Sequence, residues 1–260
     1  MRARCGDIEV AWFEWGRGDP LVLVHGLADD HRAWRKTLAG LALERRVIAY
    51  DLRGHGETSL GDATGTLAQL GSDLVALLDA LDLPRADLCG FSLGGTVVIR
   101  AAIDQPGRVR RLFPVATSSR VGRAVVPWYE ERAKLAAGGA EAVHPILEED
   151  TRQQFSGAPA EFADHWRLRR QSTADPRGFG NACRAMARLN AEPLDPELGR
   201  VTAPTLVIAA ENDLNCPVRA AEAVVAGIPG ARLQVIAGSG HQVEVERPAE
   251  LAAAIIGFEV

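Results

Sequence analysis

Gly90-Phe91-Ser92-Leu93-Gly94 sets a serine between two glycines, directly after the run Ala86–Cys89 and before a helix-like stretch from Gly95 to Asp104. A strand, a sharp turn and a helix with serine at the apex form the G-x-S-x-G elbow that presents a nucleophile. Backbone at such a turn is strained and neighbouring chain passes close by, so the flanking positions must lack Cβ bulk. A serine hydroxyl is neutral at pH 7 and reacts only when a general base takes its proton. His241, in Gly238-Ser239-Gly240-His241, follows the strand-like segment that ends at Ile236. Asp213, in Glu211-Asn212-Asp213, follows the strand-like Thr205–Ala209. Both loops belong at the carboxyl edge of a parallel sheet, where the elbow also sits. The chain order Ser92, Asp213, His241 therefore predicts a nucleophile, an orienting acid and a base for acyl transfer. Glu211 and Asp195 compete for the acid's role, but Glu211 lies nearer the strand end and Asp195 precedes the strand altogether.

Acyl transfer also needs hydrogen-bond donors for the developing oxyanion: the amide after the nucleophile and one from a loop after an earlier strand. Leu93 and Leu27 occupy those places, with Gly26 letting the chain turn the Leu27 amide inward. His25 reads as a structural loop residue, and Asp51-Leu52-Arg53-Gly54-His55-Gly56 as loop scaffolding. No histidine pair has metal-ligand spacing and no glycine-rich loop matches a phosphate cradle, so neither metal nor cofactor is expected.

Elements that put these loops together are legible in the apolar pattern. Met1–Cys5 and Ile8–Trp15 flank a Gly6-Asp7 turn and predict an antiparallel hairpin. Leu21–Val24 and Val47–Tyr50 are apolar on both faces, as strands of a parallel sheet covered by helices must be. Between and after them, His31–Leu43 and Leu67–Leu81 carry helical spacing. Strand then continues at Ala86 and at Val109–Ala116, after which the alternation stops. From Ser118 to Arg200 the chain has helix-like stretches separated by Gly138-Gly139, Pro145, Pro159 and Pro176. Sheet-like sequence returns at Thr205–Ala209 and Arg232–Ile236, with helices near Arg219–Ala226 and Pro248–Phe258. The expectation is an α/β fold, a mostly parallel doubly wound sheet, whose core spans 1–117 and 201–260 and whose helical cap spans 118–200.

Composition narrows the partners. A net charge of −5 with 24% charged residues argues against gripping nucleic acid or an anionic membrane. Met1–Gly6 is followed by no apolar h-region, so a soluble, cytoplasmic protein is expected. Cys5, Cys89, Cys183 and Cys216 show no C-x-x-C spacing and read as buried or incidental thiols. The expected partner is a small molecule, and oligomeric state is not legible.

His25-Gly26, Asp51–Gly56, Gly90–Gly95, Asp213 and Gly240-His241 together resemble the α/β-hydrolase superfamily. Leu74–Gly95, Trp128–Gly139 and Ala203–Ala210 resemble its 3-oxoadipate enol-lactonase and small-carboxylesterase branch. That resemblance implies the α/β-hydrolase fold and cleavage of an ester or lactone. Dehalogenases and epoxide hydrolases of the fold place aspartate at the elbow, so Ser92 argues against both. Thioesterase, carbon–carbon hydrolase and cofactor-free perhydrolase activities stay open, as does a noncatalytic or slow-turnover ligand receptor on the same fold. The cap selects among them. Trp128, Tyr129, Phe155 and Trp166 are its candidate substrate-binding residues, with Phe162 and Phe179 as further aromatic walls. Arg120, Arg123, Arg152, Arg169 and Arg188 are candidates to pair with a substrate carboxylate.

Overall fold

Leu21 and Leu23 point to one face of the sheet and Val22 and Val24 to the other, and all four are fully buried. The same alternation divides Val47 and Ala49 from Ile48 and Tyr50, so each strand feeds two separate cores. A strand buried on both faces needs helices on both sides. In the computed structural model, which describes residues 1–157 and 159–259, this is the arrangement. The strands are β1 (Arg2–Cys5), β2 (Ile8–Trp15), β3 (Pro20–Val24), β4 (Arg46–Tyr50), β5 (Ala86–Phe91), β6 (Val109–Val115), β7 (Leu206–Ala210) and β8 (Arg232–Ile236). They form an eight-stranded sheet in the order β1-β2-β4-β3-β5-β6-β7-β8. β2 runs antiparallel to both its neighbours, and β3 to β8 pair in parallel.

Helices fill the two faces. α1 is the single turn Leu38–Leu41, α2 is Leu67–Ala80 and α3 is Leu93–Asp104. α2 and α3 press Leu70, Leu74, Leu77, Val97 and Val98 against the Val22 face. Four helices separate β6 from β7: α4 (Val126–Ala136), α5 (Ala140–Arg152), α6 (Pro159–Ser172) and α7 (Arg177–Arg188). They enclose a small core of their own, Ala136, Val143, Leu147, Phe179 and Cys183, which also takes in Ala28 from the loop after β3. α8 (Val218–Gly227), the short α9 (Val243–Glu246) and α10 (Pro248–Ile256) complete the chain, α10 lying with Trp34 and Leu41 on the Leu21 face. Among the described residues no helix is long and apolar enough to cross a membrane.

One expected element differs. His31–Leu43 reads as a continuous helix, but the chain forms a 3₁₀ segment, His31–Lys36, and then the separate turn α1. Thr37 stands at the junction, where its hydroxyl donates to the Glu244 carbonyl at 3.0 Å and ties the segment to α9. Trp34 and Leu41 are still buried, so the apolar periodicity correctly marked the inward residues while a tertiary bond broke the helix.

Chain order reverses at β3, which pairs with β4 on one side and β5 on the other. Crevices at such reversals are where ligands bind in sheets of this kind. Across the sheet here, the loop carrying Leu27 leaves β3, the one carrying Ser92 leaves β5, the one carrying Asp213 leaves β7 and the one carrying His241 leaves β8. The close approach at β5 is unforgiving: a Cβ on Gly90 would lie 2.1 Å from the Gly94 carbonyl oxygen. Gly90→Ala is expected to lower stability by about 1–3 kcal/mol, the usual cost of overpacking, read as a lower urea midpoint. Gly107→Ala, whose Cβ meets nothing within 4 Å, should leave that midpoint in place.

Candidate active site

Ser92 takes φ 52° and ψ −116°, a left-handed conformation, at the junction of β5 and α3. Its hydroxyl lies 2.9 Å from His241 Nε2, and His241 Nδ1 lies 2.7 Å from Asp213 Oδ2. A carboxylate only accepts, so Nδ1 carries the hydrogen and Nε2 is left with a lone pair facing the serine hydroxyl. Asp213 Oδ1 accepts from the amides of Asn215 and Cys216, both at 2.8 Å. Burial opposes the charge of Asp213, but the facing imidazole and these two amides outweigh it and hold its carboxyl below the usual range. The other two acids lie elsewhere: Glu211 accepts from the Gly238 amide at 2.8 Å, and Asp195 pairs with Arg120 at 2.5 Å. Glu246 fixes the histidine loop from below, accepting from the Gly240 amide at 2.7 Å and from the Ser156 hydroxyl at 2.7 Å.

Leu27 and Leu93 line the same cavity as Ser92 and His241. The Leu93 amide lies in the first turn of α3, where N–H groups have no helical partner. Upstream of Leu27, His25 Nδ1 donates to the Gly26 carbonyl at 2.8 Å and Nε2 accepts from the Leu52 amide at 2.9 Å. His25 thus braces one loop against the next, and the Asp51–Gly56 segment does similar work. Arg53 makes paired bonds to both Asp73 and Asp7, and Asp51 accepts from His31 and from the Glu57 amide.

The cavity has a volume of about 110 Å³. Trp128 and Tyr129 line it, together with Phe91, Val121 and Met186. Phe155 and Trp166 do not. Phe155 packs edge-on against Phe162 and His165, and Trp166 packs on His144 and the inner core of the insertion. Both aromatics serve packing, Phe155 from the turn after α5 and Trp166 from the side of α6 that faces its neighbours. Phe179 is also core. Of the five arginines considered, Arg120 and Arg169 reach the cavity, while Arg152 stacks on Phe162.

A family model for the alpha/beta hydrolase fold matches residues 19–248. The chain belongs to the α/β-hydrolase family. It is 32% identical over 272 residues to the dihydrolipoyllysine-residue acetyltransferase component of the acetoin cleaving system of Pseudomonas putida, covering 99% of this chain and 68% of that protein. It is 29% identical over 243 residues to 3-oxoadipate enol-lactonase 1 of Acinetobacter baylyi, covering 92% and 87% of the two chains. The enol-lactonase structure from Burkholderia xenovorans LB400 superposes with a TM-score of 0.89 over 99% of this chain and 98% of that one, at 24% identity, a likeness of fold.

Sequence reasoning on this hydrolase named Arg169 as one of five candidates for a substrate carboxylate but missed Asp29, His165 and Ser172, with which it forms a network behind the cavity. Arg169, on α6, donates to Thr151 Oγ1 at 3.0 Å, to Gln154 Oε1 at 2.7 Å and to the Leu27 carbonyl at 2.6 Å. Its Nε lies 3.4 Å from Asp29, which is also 3.3 Å from His165 Nε2. Ser172 donates to the Asp29 carbonyl at 2.5 Å. His165, Arg169 and Ser172 are spaced four and three apart, so one face of α6 grips the loop after β3. That spacing was readable, but its partner loop lies more than a hundred residues away in the chain. Burial opposes the charge on Asp29, yet Arg169 and His165 hold its carboxyl well below the ordinary range.

Two clusters offer mixed donors to a metal: Asp213, Cys216 and His241, and Asp30, His31 and Asp51. In each, the donors already bond to protein, His241 to Asp213 and Ser92 in the first, His31 to Asp51 and Arg32 to Asp30 in the second. The Arg169 network has a measurable signature. Arg169→Met leaves Asp29 as an uncompensated buried charge and should cost about 3–5 kcal/mol. Combining it with Asp29→Asn should cost less than the sum of the single changes by about 1 kcal/mol or more, in a denaturant-unfolding cycle.

Proposed function

We propose that this protein is a serine hydrolase that cleaves a carboxylic ester or lactone through an acyl-enzyme. The observation that carries the reading is the unbroken hydrogen-bonded chain from Ser92 through His241 to Asp213, standing in a cavity. Family membership and the likeness to an enol-lactonase support it.

In this mechanism Ser92 Oγ bonds to the substrate carbonyl carbon while its proton passes to His241 Nε2. The carbonyl oxygen becomes an oxyanion, held by the amides of Leu27 and Leu93, each such donor being worth about 3 kcal/mol of barrier. As the carbon–oxygen bond to the alcohol breaks, His241 returns the proton to the departing oxygen. In a lactone that alcohol stays tethered to the acyl group. Water, deprotonated by the same His241, then attacks the acyl-enzyme, and Ser92 leaves with the proton. Asp213 stays ionised throughout, orienting the imidazole and stabilising its cationic form. The insertion α4–α7 acts as the cap over this site, with Trp128 and Tyr129 as the aromatic wall that the acyl or alcohol part meets.

Ser92→Ala should lower turnover of an activated ester by roughly 10⁴-fold or more while leaving the unfolding transition intact. A folded variant that keeps its activity would remove the assignment. Asp213→Asn should cost about 10⁴-fold as well, through loss of the correct imidazole tautomer. The pH profile follows from the same roles. Asp213 is held below the normal carboxylate range, so an acid-side fall in kcat/KM should reflect loss of the general base and not protonation of Asp213. A kcat/KM that stays level through the acid range, in a protein that remains folded, would count against a histidine base.

A further inference from the structure

The cavity beside Ser92 runs from an exposed rim to a buried polar end. Arg120, Val125 and Asn215 stand at the rim, whereas Asp29, Gln154, Arg169 and Gln242 are buried. Polar groups buried at the end of a cavity need partners, because each unpaired one forfeits its hydration. Two of these side chains lack them. Both carboxylate oxygens of Asp29 and Oε1 of Gln242 are buried without a hydrogen bond, and both residues are more than nine-tenths buried. Asp29 Oδ1 has two buried, equally unbonded groups close by, His165 Nε2 at 3.3 Å and Arg169 Nε at 3.4 Å, so the acceptors with no donor at hand are Asp29 Oδ2 and Gln242 Oε1.

The donors nearby are largely committed. Gln242 Nε2 donates to Gln154 Oε1 at 2.6 Å, and that same oxygen accepts from Arg169 at 2.7 Å. Arg169 spends its remaining bonds on Thr151 and on the Leu27 carbonyl, and its unbonded Nε lies 3.4 Å from Asp29. Charge is balanced in the same place. Arg169 and Asp29 cancel, and burial pushes the His165 imidazole down and the Glu244 carboxyl up, each toward its uncharged form. At the rim, Arg120 is paired with Asp195. An arginine ready for a substrate carboxylate was an expectation of the sequence, and both arginines that reach the cavity already hold an acid.

We propose that Asp29, Gln154, Arg169 and Gln242 form a subsite for an uncharged hydrogen-bond donor, a hydroxyl or amide N–H, carried by the substrate a few atoms from its scissile carbonyl. The inference rests on the hydrolase reading and names the substrate class of that site. A hydroxyl supplies the hydrogen that Asp29 and Gln242 lack. A carboxylate brings a second negative charge beside Asp29 with no cation left to meet it, which a buried site resists.

The test compares p-nitrophenyl esters of butyric, 3-hydroxybutyric and succinic acids with the full chain. The expected order of kcat/KM is hydroxybutyrate above butyrate by about tenfold, and hemisuccinate below butyrate by about tenfold or more. Gln242→Leu removes one orphan acceptor, and in that variant the ratio of hydroxybutyrate to butyrate should fall toward one. The ratio is read within one protein, so a change in overall rate from the neighbouring His241 cancels. Asp29→Asn, shown to be folded by its unfolding transition, serves as the second variant and should relax the discrimination against hemisuccinate. A wild-type preference for hemisuccinate or for butyrate, or a hydroxybutyrate ratio unmoved in Gln242→Leu, overturns the subsite while leaving the hydrolase reading standing. Turnover of none of the three by wild type, with Ser92 also unreactive to a fluorophosphonate, overturns the hydrolase reading itself.

Discussion

The backbone of Ser92 is held at φ 52°, a conformation that costs an L-residue about 1–3 kcal/mol, and the rest of the site depends on keeping it there. Its amide donates to the Val115 carbonyl of β6 at 2.9 Å, and its carbonyl accepts from the Thr117 hydroxyl at 2.7 Å and from the amides of Gly95 and Thr96. Strand, neighbouring strand and helix start all bear on one residue. The elbow is possible only because a Cβ is absent where Gly94 passes the Val24 carbonyl, which would lie 2.2 Å from it. The strain is offset by the whole sheet, so the serine hydroxyl can project into the cavity without local flexibility.

Rigid loops on either side extend that logic. The ends of β3, β4 and β7 carry polar residues whose bonds reach another loop, His25 to Leu52, Asp51 to His31 and Glu57, and Glu211 to Gly238, and Glu246 of α9 does the same for Ser156. These hydrogen bonds are directional and hold the loops of β3, β7 and β8 against one another, as a three-residue hydrogen-bonded chain requires.

Much of this was readable in the sequence because it is local. Two-face apolar runs marked β3 and β4, and the glycines around Ser92 marked the elbow at the end of β5, since backbone geometry limits which residues fit there. Asp213 and His241 were legible through their places after successive strands rather than through their immediate surroundings. What was not legible is tertiary. Thr37 breaks the expected helix His31–Leu43 by a bond to Glu244, far along the chain. Phe155 and Trp166 look like pocket walls by composition, but only the packing of the insertion turns Phe155, in the turn after α5, and Trp166, on α6, toward neighbouring helices and away from the cavity. Arg169 read as one of five candidates for a substrate carboxylate, and only the loop after β3, distant in the chain, shows it bound to the protein's own groups.

The residues that escaped the sequence join the insertion to the chemistry. α6 reaches the loop after β3 with His165, Arg169 and Ser172, and the bond from Arg169 falls on the carbonyl of Leu27, the residue whose amide is proposed to hold the oxyanion. Ala28, next in the chain, takes φ 65° and is enclosed by the insertion's own core. A helix placed to shape the cavity is thereby also a brace for a backbone group on which acyl transfer would depend. Changes in α6 cannot then alter the shape of the site alone. Any substitution that moves Arg169 shifts the Leu27–Ala28 peptide and unbalances the charge of Asp29 together, which couples what the site admits to how well it can stabilise a negative oxygen.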